Sequence, residues 1–236
     1  MNKLLDLAAF GARETSLAQA VNSHNLANAN TPGFRKDLAL YSGPRVTSGL
    51  KTEVDLSAGQ VQTTGNPLDV AINGDGYFVI EDAEGALAYS RRGDLSVDQA
   101  GLLTDGAGNR VLGQGGGPIN IPPYSEISVG GDGVISLRPI GAEANGLAEV
   151  GRLQLVKPEP GQELRKTPDG LLRSADVLFE SPEVKVVSGA LEGSNVNVIN
   201  SLVTMIDLAR RFETQVKLMQ SAEENRDSLS QIMKLN

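Results

Sequence analysis

The chain of 236 residues has no cysteine, no tryptophan and a single histidine, His24. Without cysteine it can form neither disulfides nor thiolate metal sites. Without a second histidine, a histidine metal cluster or a catalytic triad lacks partners, so we assign His24 to a helix surface or interface. Aromatic residues make up only 4% of the chain, which is little for the walls of a ligand pocket. We therefore expect no catalytic residues, no metal and no cofactor.

Long apolar runs are also missing. No run reaches the roughly 20 residues that span a bilayer, so we expect no insertion into a membrane. The N-terminal apolar residues are interrupted by Asp6, Arg13 and Glu14, unlike the continuous apolar core of a secretory signal. This pattern predicts a protein that stays in the cytoplasm or leaves it without cleavage of a signal peptide.

Basic residues are scarce in the middle of the chain. Residues 37–193 carry 12 basic and 22 acidic side chains, a net charge of −10, whereas residues 1–36 have a net charge of +2 and residues 194–236 of 0. An acidic surface repels the phosphates of nucleic acids, so we expect no nucleic-acid partner. Near-neutral ends suit the bundling of helices, since strongly charged helices would repel one another.

The last stretch, residues 194–236, contains neither glycine nor proline, although the chain has 27 and 11 of them. Its apolar residues recur in steps of three and four, which predicts a helix with one apolar stripe over residues 197–235. Ser194, Asn195 and Asn197 are candidates for its N-cap. Such a helix is about 58 Å long, so its stripe needs a partner helix and partner chains. The stripe consists of Ile199, Leu202, Ile206, Ala209, Phe212, Val216 and Met219.

A second helix is predicted over residues 3–28. Its stripe is weaker and rich in alanine, and small residues allow helix axes to approach closely. The helix should end near Asn28, because Pro32 disfavours helix at the residue before it. Pairing the two helices antiparallel, and bundling the pair with neighbouring chains, is the simplest way to bury both stripes. The residues of this stripe are Leu4, Leu7, Leu17, Val21 and His24.

Residues 67–137 alternate short β-forming runs with glycine turns at intervals of about ten residues, which predicts antiparallel strands. We place a loop at 138–150, a further strand at 151–156 and turns up to residue 185. The polar residues 37–66 have no clear period, and we assign them to a linker with irregular strand.

The predicted fold class is therefore α+β. The N- and C-terminal helices, in segments 1–36 and 186–236, form a coiled-coil or bundle domain, and an antiparallel all-β domain over residues 67–185 is inserted between them.

Three features that resemble ligand or catalytic sites favour a structural interpretation. Asp105–Asn109 (DGAGN) lacks the alternating acids and closing glutamate of a calcium loop, so we predict a hairpin turn. Gly113–Gly117 (GQGGG) precedes neither Lys-Ser/Thr nor a helix, so we predict a loop that does not bind phosphate. The carboxylates of Glu180, Glu183, Asp94 and Asp98 are scattered and single out no pair of the kind that glycosidases use.

Three segments, at the start, middle and end of the chain, resemble the signatures of flagellar rod and hook proteins, and they occur in that family's order. The first is Asn25–Arg35 (NLANANTPGFR). The middle one is Asn66–Phe78 (NPLDVAINGDGYF) with Tyr89–Gly93 (YSRRG). The last is Ser188–Val196 (SGALEGSNV), followed by Met205-Ile206 and Arg211-Phe212-Glu213.

This resemblance implies a structural subunit of the flagellar basal-body rod, with terminal helices that form a coiled-coil core around an export channel. It implies other proximal and distal rod proteins, copies of the same chain and the flagellar type III export apparatus as partners. It also implies export to the periplasmic space without a cleaved signal peptide. The short stretch between Phe34 and Asn66 is similar to proximal-rod subunits, and a distal-rod subunit is the alternative.

We assign the predicted assembly interface to the apolar helix positions and to the two terminal signatures. One chain cannot bury both faces of two long helices, so ordering of the chain ends should accompany assembly. The assigned residues are Leu4, Leu7, Leu17, Val21, Asn28, Phe34, Asn195, Leu202, Ile206, Ala209, Phe212, Val216 and Met219.

Two other functions remain open at this point. A binding module would use the helices only to oligomerise and would have a ligand pocket within residues 67–185. A carbohydrate-active enzyme on a β-scaffold would depend on one essential pair of acidic residues.

Overall fold

The computed structural model describes residues 2–40, 51–141, 146–167 and 169–234. Within these ranges it has two helices, α1 (Asn2–Ala27) and α2 (Val198–Lys234). Both lie within one residue of the predicted bounds, and the described strands pair antiparallel, so the α+β class is confirmed. The strands are β1 (Asp37–Leu40), β2 (Lys51–Val54), β3 (Val61–Thr63), β4 (Val70–Asn73), β5 (Tyr77–Glu81), β6 (Leu87–Ser90), β7 (Ser96–Val97), β8 (Leu103–Thr104), β9 (Arg110–Val111), β10 (Tyr124–Val129), β11 (Val134–Pro139), β12 (Ala148–Arg152), β13 (Leu155–Val156), β14 (Leu164–Lys166), β15 (Leu172–Ser174), β16 (Lys185–Ser188) and β17 (Ala190–Glu192).

The chain divides into two compact units. The helical unit comprises residues 1–29, 36–55 and 196–236, and the β unit comprises residues 30–35 and 56–195. The boundaries of these units differ from those of the predicted segments. The stretch predicted as a linker contributes the β1–β2 hairpin to the helical unit and β3 to the β unit.

In the helical unit, α1 and α2 lie antiparallel along a line of mostly small and polar residues. We call this line the α1–α2 seam. Its positions alternate in steps of three and four, as in coiled coils. On α1 the buried or half-buried residues of the seam are Ala8, Gly11, Thr15, Ala18, Asn22 and Asn25, and on α2 they are Ser201, Met205, Leu208, Gln215, Met219 and Ala222. Phe212 has the same spacing but is 38% exposed.

The antiparallel pairing was predicted, but the prediction that the two apolar stripes meet each other is wrong. Leu7 and Ile206 remain 57% and 54% exposed. The seam lies one residue away from most of the stripe on each helix and has the same three-four spacing. Small residues there let the helix axes approach closely, which larger stripe residues would prevent.

Polar contacts set the register of the seam. Asn22 Nδ2 donates to the carbonyl of Ser201 at 2.8 Å, and Thr15 Oγ1 lies 3.0 Å from Gln215 Oε1. A methyl group added to Gly11 would lie 2.8 Å from Gln215 Nε2, so glycine makes room for that amide. Buried polar pairs of this kind specify register in helix pairs.

Asn197 is the N-cap of α2, because its Oδ1 accepts the backbone N–H of Asn200 at 3.0 Å. Side-chain oxygens at this position satisfy one of the unpaired amides of the first helical turn. Of the three predicted candidates, Asn197 is thus the one that caps the helix.

The β unit is built on one larger sheet with the strand order β14-β15-β6-β5-β9-β8-β7, in which β13 also pairs with β5. The β10-β11-β12 meander and the pairs β16-β4 and β17-β3 complete it. The predicted strand 151–156 is divided between β12 and β13, because β12 pairs with β11 and β13 with β5. Phe78, Ile80, Leu103, Ile135 and Leu137 are fully buried in its core.

The DGAGN segment forms the predicted hairpin turn, between β8 and β9. Asp105 Oδ1 accepts the backbone N–H groups of Ala107 and Asn109, each at 2.9 Å. Gly108 has a φ of +89°, a conformation that side chains disfavour. The aspartate is therefore occupied by the turn itself.

Candidate functional site

Parts of the three signature segments meet inside the β unit, around the carboxylate of Glu192. Oε1 accepts hydrogen bonds from Arg35 Nη2 at 2.6 Å and from the backbone N–H of Gly59 at 2.7 Å. Oε2 accepts a hydrogen bond from Arg91 Nε at 2.8 Å. We call the side chains of Arg35, Arg91 and Glu192 the glutamate junction. It connects the N-terminal, middle and C-terminal signatures.

The glutamate junction is almost completely shielded from water. The side chains of Arg35, Arg91 and Glu192 are only 3%, 4% and 1% exposed. Burial lowers the pKa of Arg91, and the charge of Glu192 opposes that shift. Removing one partner from a buried ionic group leaves an uncompensated charge, which costs about 3–5 kcal/mol.

Arg91 also holds a turn of the backbone. Its Nη1 donates to the carbonyls of Gly74 and Gly76, each at 2.8 Å. The guanidinium lies 5.7 Å from the centre of the Tyr77 ring, within the range of a cation–π contact. Burial raises the pKa of the Tyr77 hydroxyl.

Arg35 uses only part of its hydrogen-bonding capacity. Its Nη2 binds Glu192, whereas its buried Nε and Nη1 have no hydrogen-bond partner among the described residues. The junction has two cations and one anion, so its charges attract but do not cancel. Such a group is better suited to fixing one arrangement of the chain than to adding net stability.

Signature glycines allow the backbones around the junction to approach closely. Gly33 has a φ of +67° and donates its N–H to the carbonyl of Glu192 at 2.7 Å. A methyl group on Gly33 would lie 2.3 Å from the backbone of Arg91, and one on Gly93 would lie 1.7 Å from the carbonyl oxygen of Val70. Neither position can accept a side chain without movement of the backbone.

Phe34 and Asn195, two residues of the predicted assembly interface, contact each other within the β unit. The N–H of Asn195 donates to the carbonyl of Phe34 at 3.3 Å, and its Nδ2 donates to the carbonyl of Ser57 at 3.0 Å. The Phe34 ring is buried, with Lys166 Nζ 3.8 Å from its centre. These contacts serve the fold of the β unit, and a role in assembly stays a prediction.

The other predicted interface residues lie in the helical unit. Leu7, Leu17, Leu202, Ile206, Ala209 and Phe212 are exposed, whereas Val21, Asn28, Val216 and Met219 are half-buried. The side chain of Leu4 is outside the described residues. His24 lies on α1, where Nδ1 is 2.9 Å from Asp37 Oδ2.

A groove of about 470 Å³ runs between α1, α2 and β1. We call it the hairpin groove. Apolar side chains and charged groups of both signs line it, among them Val21, Leu38, Leu208, Lys36, Asp207 and Arg211. It lies entirely within the helical unit.

Apart from the signatures themselves, no sequence pattern indicated the glutamate junction. Glu192 lies in β17, where alternation places it on the same buried side as Ala190. A glutamate at such a position signals a buried cationic partner. Its partners Arg35 and Arg91 are 157 and 101 residues away, so spacing alone could not identify them.

Among the described residues, no group of histidine and acidic side chains could hold a metal ion. The part of the chain that the structure describes also contains no helix long and apolar enough to cross a membrane.

Three family descriptions match consecutive parts of the chain. "Flagella basal body rod protein" matches residues 5–35, and "Flagellar hook protein FlgE/F/G D1 domain" matches residues 71–137. "Flagellar basal body rod FlgEFG protein C-terminal" matches residues 187–232. Together they include α1, the central strands and α2.

Curated relatives match over most or all of their length. The flagellar basal-body rod protein FlgF of Salmonella typhimurium is 40% identical over 100% of both chains, and that of Escherichia coli is 39% identical over 100% of both. The flagellar basal-body rod protein FlgG of Bacillus subtilis is 29% identical over 86% of this chain and 89% of its own.

Two terminal helices, an inserted β unit and the signatures that meet at Glu192 define a structural subunit of the flagellum and not an enzyme. More narrowly, the chain belongs to the FlgF family of flagellar basal-body rod proteins.

Proposed function

We propose that this rod component polymerises through its terminal helices, with copies of itself and with neighbouring rod proteins, in the proximal part of the rod. The observation that carries the proposal is the set of exposed aliphatic side chains on both helices. Large exposed apolar faces of soluble proteins mark interaction sites. Burying each such side chain contributes on the order of 1.5–3 kcal/mol.

The helical unit suits dense assembly in its charge as well. It carries 10 basic and 10 acidic residues, whereas the β unit carries 11 basic and 19 acidic residues. Copies that meet through their helical units therefore bring no net charge together. Copies that meet through their β units repel one another.

In the proposed rod, α2 supplies stiffness along the axis and the helices line the export channel. At 37 residues α2 is about 56 Å long. Helices of this length, packed side by side through apolar faces, resist the twisting that torque imposes.

The proposed route to the rod is export to the periplasmic space by the flagellar type III apparatus, with the N-terminal segment retained. Residues 2–27 fold as α1 and pack on α2 through Asn22 and Thr15. A segment with this role in the folded helical unit is poorly suited to removal as a signal peptide.

A proximal rather than distal position rests on the extent of similarity. The Salmonella and Escherichia FlgF relatives match over 100% of this chain at 40% and 39% identity. Relatives named FlgG match 86–91% of it at 29% identity. A distal position is therefore the second candidate.

Complementation of a deletion strain tests the proposal. Ile206→Asp places a charge on the exposed face of α2, and we expect loss of motility and of rods in electron micrographs of basal bodies. The matched control is Val177→Asp, which makes the same kind of change at a 66% exposed aliphatic residue of the β unit. It should leave motility intact.

Full motility with Ile206→Asp would contradict assembly through the α2 face. Complete rods and hooks in the deletion strain itself would contradict the rod function as a whole. Rods in the deletion strain that have their base but lack their distal part would favour the distal position.

A further inference from the structure

The apolar faces of the two helices point to opposite sides of the helical hairpin. On α1, Leu7 and Leu17 each precede a seam position by one residue. On α2, Leu202 and Ile206 each follow a seam position by one residue. One residue corresponds to about 100° around a helix. Because the helices are antiparallel, residues that precede the seam on α1 and residues that follow it on α2 lie on opposite sides of the helix pair.

The lining of the hairpin groove agrees with this geometry. The groove is lined by Val21 of the α1 stripe and, on α2, by Thr204, Asp207 and Arg211. On α2, Thr204, Asp207 and Arg211 each precede a seam position by one residue, so they lie on the opposite side of the seam from Leu202 and Ile206. We call the aliphatic face, formed by Ile199, Leu202, Val203 and Ile206, the α2 ridge; none of its residues lines the groove.

We propose that the α2 ridge of one copy packs into the hairpin groove of the next copy, and that the rod grows by repeating this contact. This inference rests on the proposed function, since it names the surfaces by which the helical units meet. Ridges of one helix fitting between elements of another unit are the usual way in which helices pack.

The ridge needs such a partner. Ile199 is 73% exposed and Val203 is 54% exposed, although residues 198–206 carry no charge. A bare aliphatic face at the start of a well-capped helix has no function for a free chain and favours contact with another apolar surface.

The groove offers the matching surface. Its apolar part comprises Ala18, Val21, Leu38, Ala39 and Leu208, and asparagine, serine and threonine side chains line much of the rest. Its volume of about 470 Å³ has room for several aliphatic side chains. Its charged residues are two bases, Lys36 and Arg211, and two acids, Asp37 and Asp207. The rim therefore has no net charge that would oppose the burial of an uncharged ridge.

The opposite placement of the two surfaces determines the type of assembly. A contact between two different surfaces leaves a free ridge at one end and a free groove at the other, so it can repeat without limit. A contact of the ridge with itself would instead give a closed dimer. The geometry thus excludes a closed two-fold dimer and allows an open filament wherever the rotation between successive copies does not close into a ring.

Disulfide trapping tests the contact, and the natural chain offers a background without cysteine. The double variant Ile206→Cys with Leu38→Cys places one thiol on the ridge and one in the groove. Disulfides form only when the two Cα atoms come within about 7 Å. Oxidation of basal bodies from cells that carry this variant should give a ladder of covalent multimers.

Each single variant, and Val177→Cys in the β unit, should remain monomeric under the same oxidation. A second pair, Leu202→Cys with Ala39→Cys, gives an independent result if the first pair disturbs folding or incorporation. A covalent dimer from Ile206→Cys alone would overturn the proposal in favour of a ridge-to-ridge contact.

Rods that contain either double variant but give no ladder after oxidation would also overturn it, while leaving the rod function intact. Failure of the rod function has a different signature, namely complete rods in a strain that lacks the chain. The two failures are therefore distinguishable in one set of strains.

Discussion

The two units differ in the side chains that they bury. In the β unit, Phe78 and Ile80 are fully buried, and even the charged Glu192 is enclosed. In the helical unit, Thr15 and Asn22 are buried while Ile199 is exposed. The β unit thus has an apolar core of its own, although Ile140, Val177 and Phe179 remain exposed. In the helical unit most buried positions hold small or polar residues, and the larger aliphatic residues of the helices lie mainly outside. We infer that stability resides in the first and the capacity to assemble in the second.

Among the substitutions that test this difference between the units, we expect the largest loss of stability at the glutamate junction. Glu192→Gln keeps the shape of the side chain but leaves Arg35 and Arg91 buried without their counter-charge. We expect the β unit to lose about 3–5 kcal/mol of stability. Exposed ion pairs contribute at most about 1 kcal/mol, so Glu163→Gln, which removes the surface pair with Arg165, is the matched control.

Urea unfolding followed by two signals separates the units in this experiment. The chain has no tryptophan, and three of its four tyrosines, Tyr77, Tyr89 and Tyr124, lie in the β unit. Tyrosine fluorescence therefore follows mainly the β unit, and the helical circular dichroism signal follows α1 and α2. Equal losses in Glu192→Gln and Glu163→Gln would show that the buried junction is not special.

The helices were predictable and the junction was not, for a physical reason. The bounds of α2 follow from local features: no glycine or proline, a three-four apolar spacing and an N-cap at Asn197. The glutamate junction depends on partners more than 100 residues apart, which local patterns do not reveal. The seam was not predicted for another reason: its Ala, Thr and Asn residues recur with the same period as the aliphatic stripe but are only weakly hydrophobic or polar, so they produce no apolar periodicity.

Replacing a glycine by alanine in each unit tests the same difference, and we expect a loss of stability of intermediate size in the β unit only. In Gly93→Ala the new methyl would lie 1.7 Å from a backbone oxygen of Val70, and overpacking of this kind costs about 1–3 kcal/mol. In Gly11→Ala it would meet only the movable amide of Gln215. Alanine also favours helix over glycine by about 1 kcal/mol, so the net change should be small.

Thermal unfolding, followed by the same two signals, measures both variants. Gly117→Ala is the control in the β unit, because nothing lies within 4 Å of the added methyl. A midpoint for Gly11→Ala that falls as far as that for Gly93→Ala would mean that the seam is packed as rigidly as the β unit.

The smallest effect concerns the acid stability of the β unit. The hydrogen bond from Arg173 Nη2, at 2.7 Å, lowers the pKa of Asp82, and the backbone N–H of Ala86 lowers it further. A carboxylate with a lowered pKa in the folded state stabilises the protein above its ordinary pKa of 3.8. That contribution is lost as the pH falls below this value, because the unfolded state then binds a proton that the folded state does not yet bind.

Arg173→Met should therefore reduce stability at neutral pH and flatten the loss of stability below pH 3.8. The measurement is the midpoint of tyrosine fluorescence unfolding as a function of pH, with Arg165→Met as the control at an exposed arginine that pairs only at the surface. Arg173 also donates to the carbonyl of Leu87 and to Asp169, so the neutral-pH loss alone would not identify the Asp82 pair. The change in slope isolates its two carboxylate partners, Asp82 and Asp169, since both have lowered pKa values and only a titrating partner makes the effect of the substitution depend on pH. An unchanged slope in Arg173→Met would place the acid sensitivity of the β unit in other carboxylates.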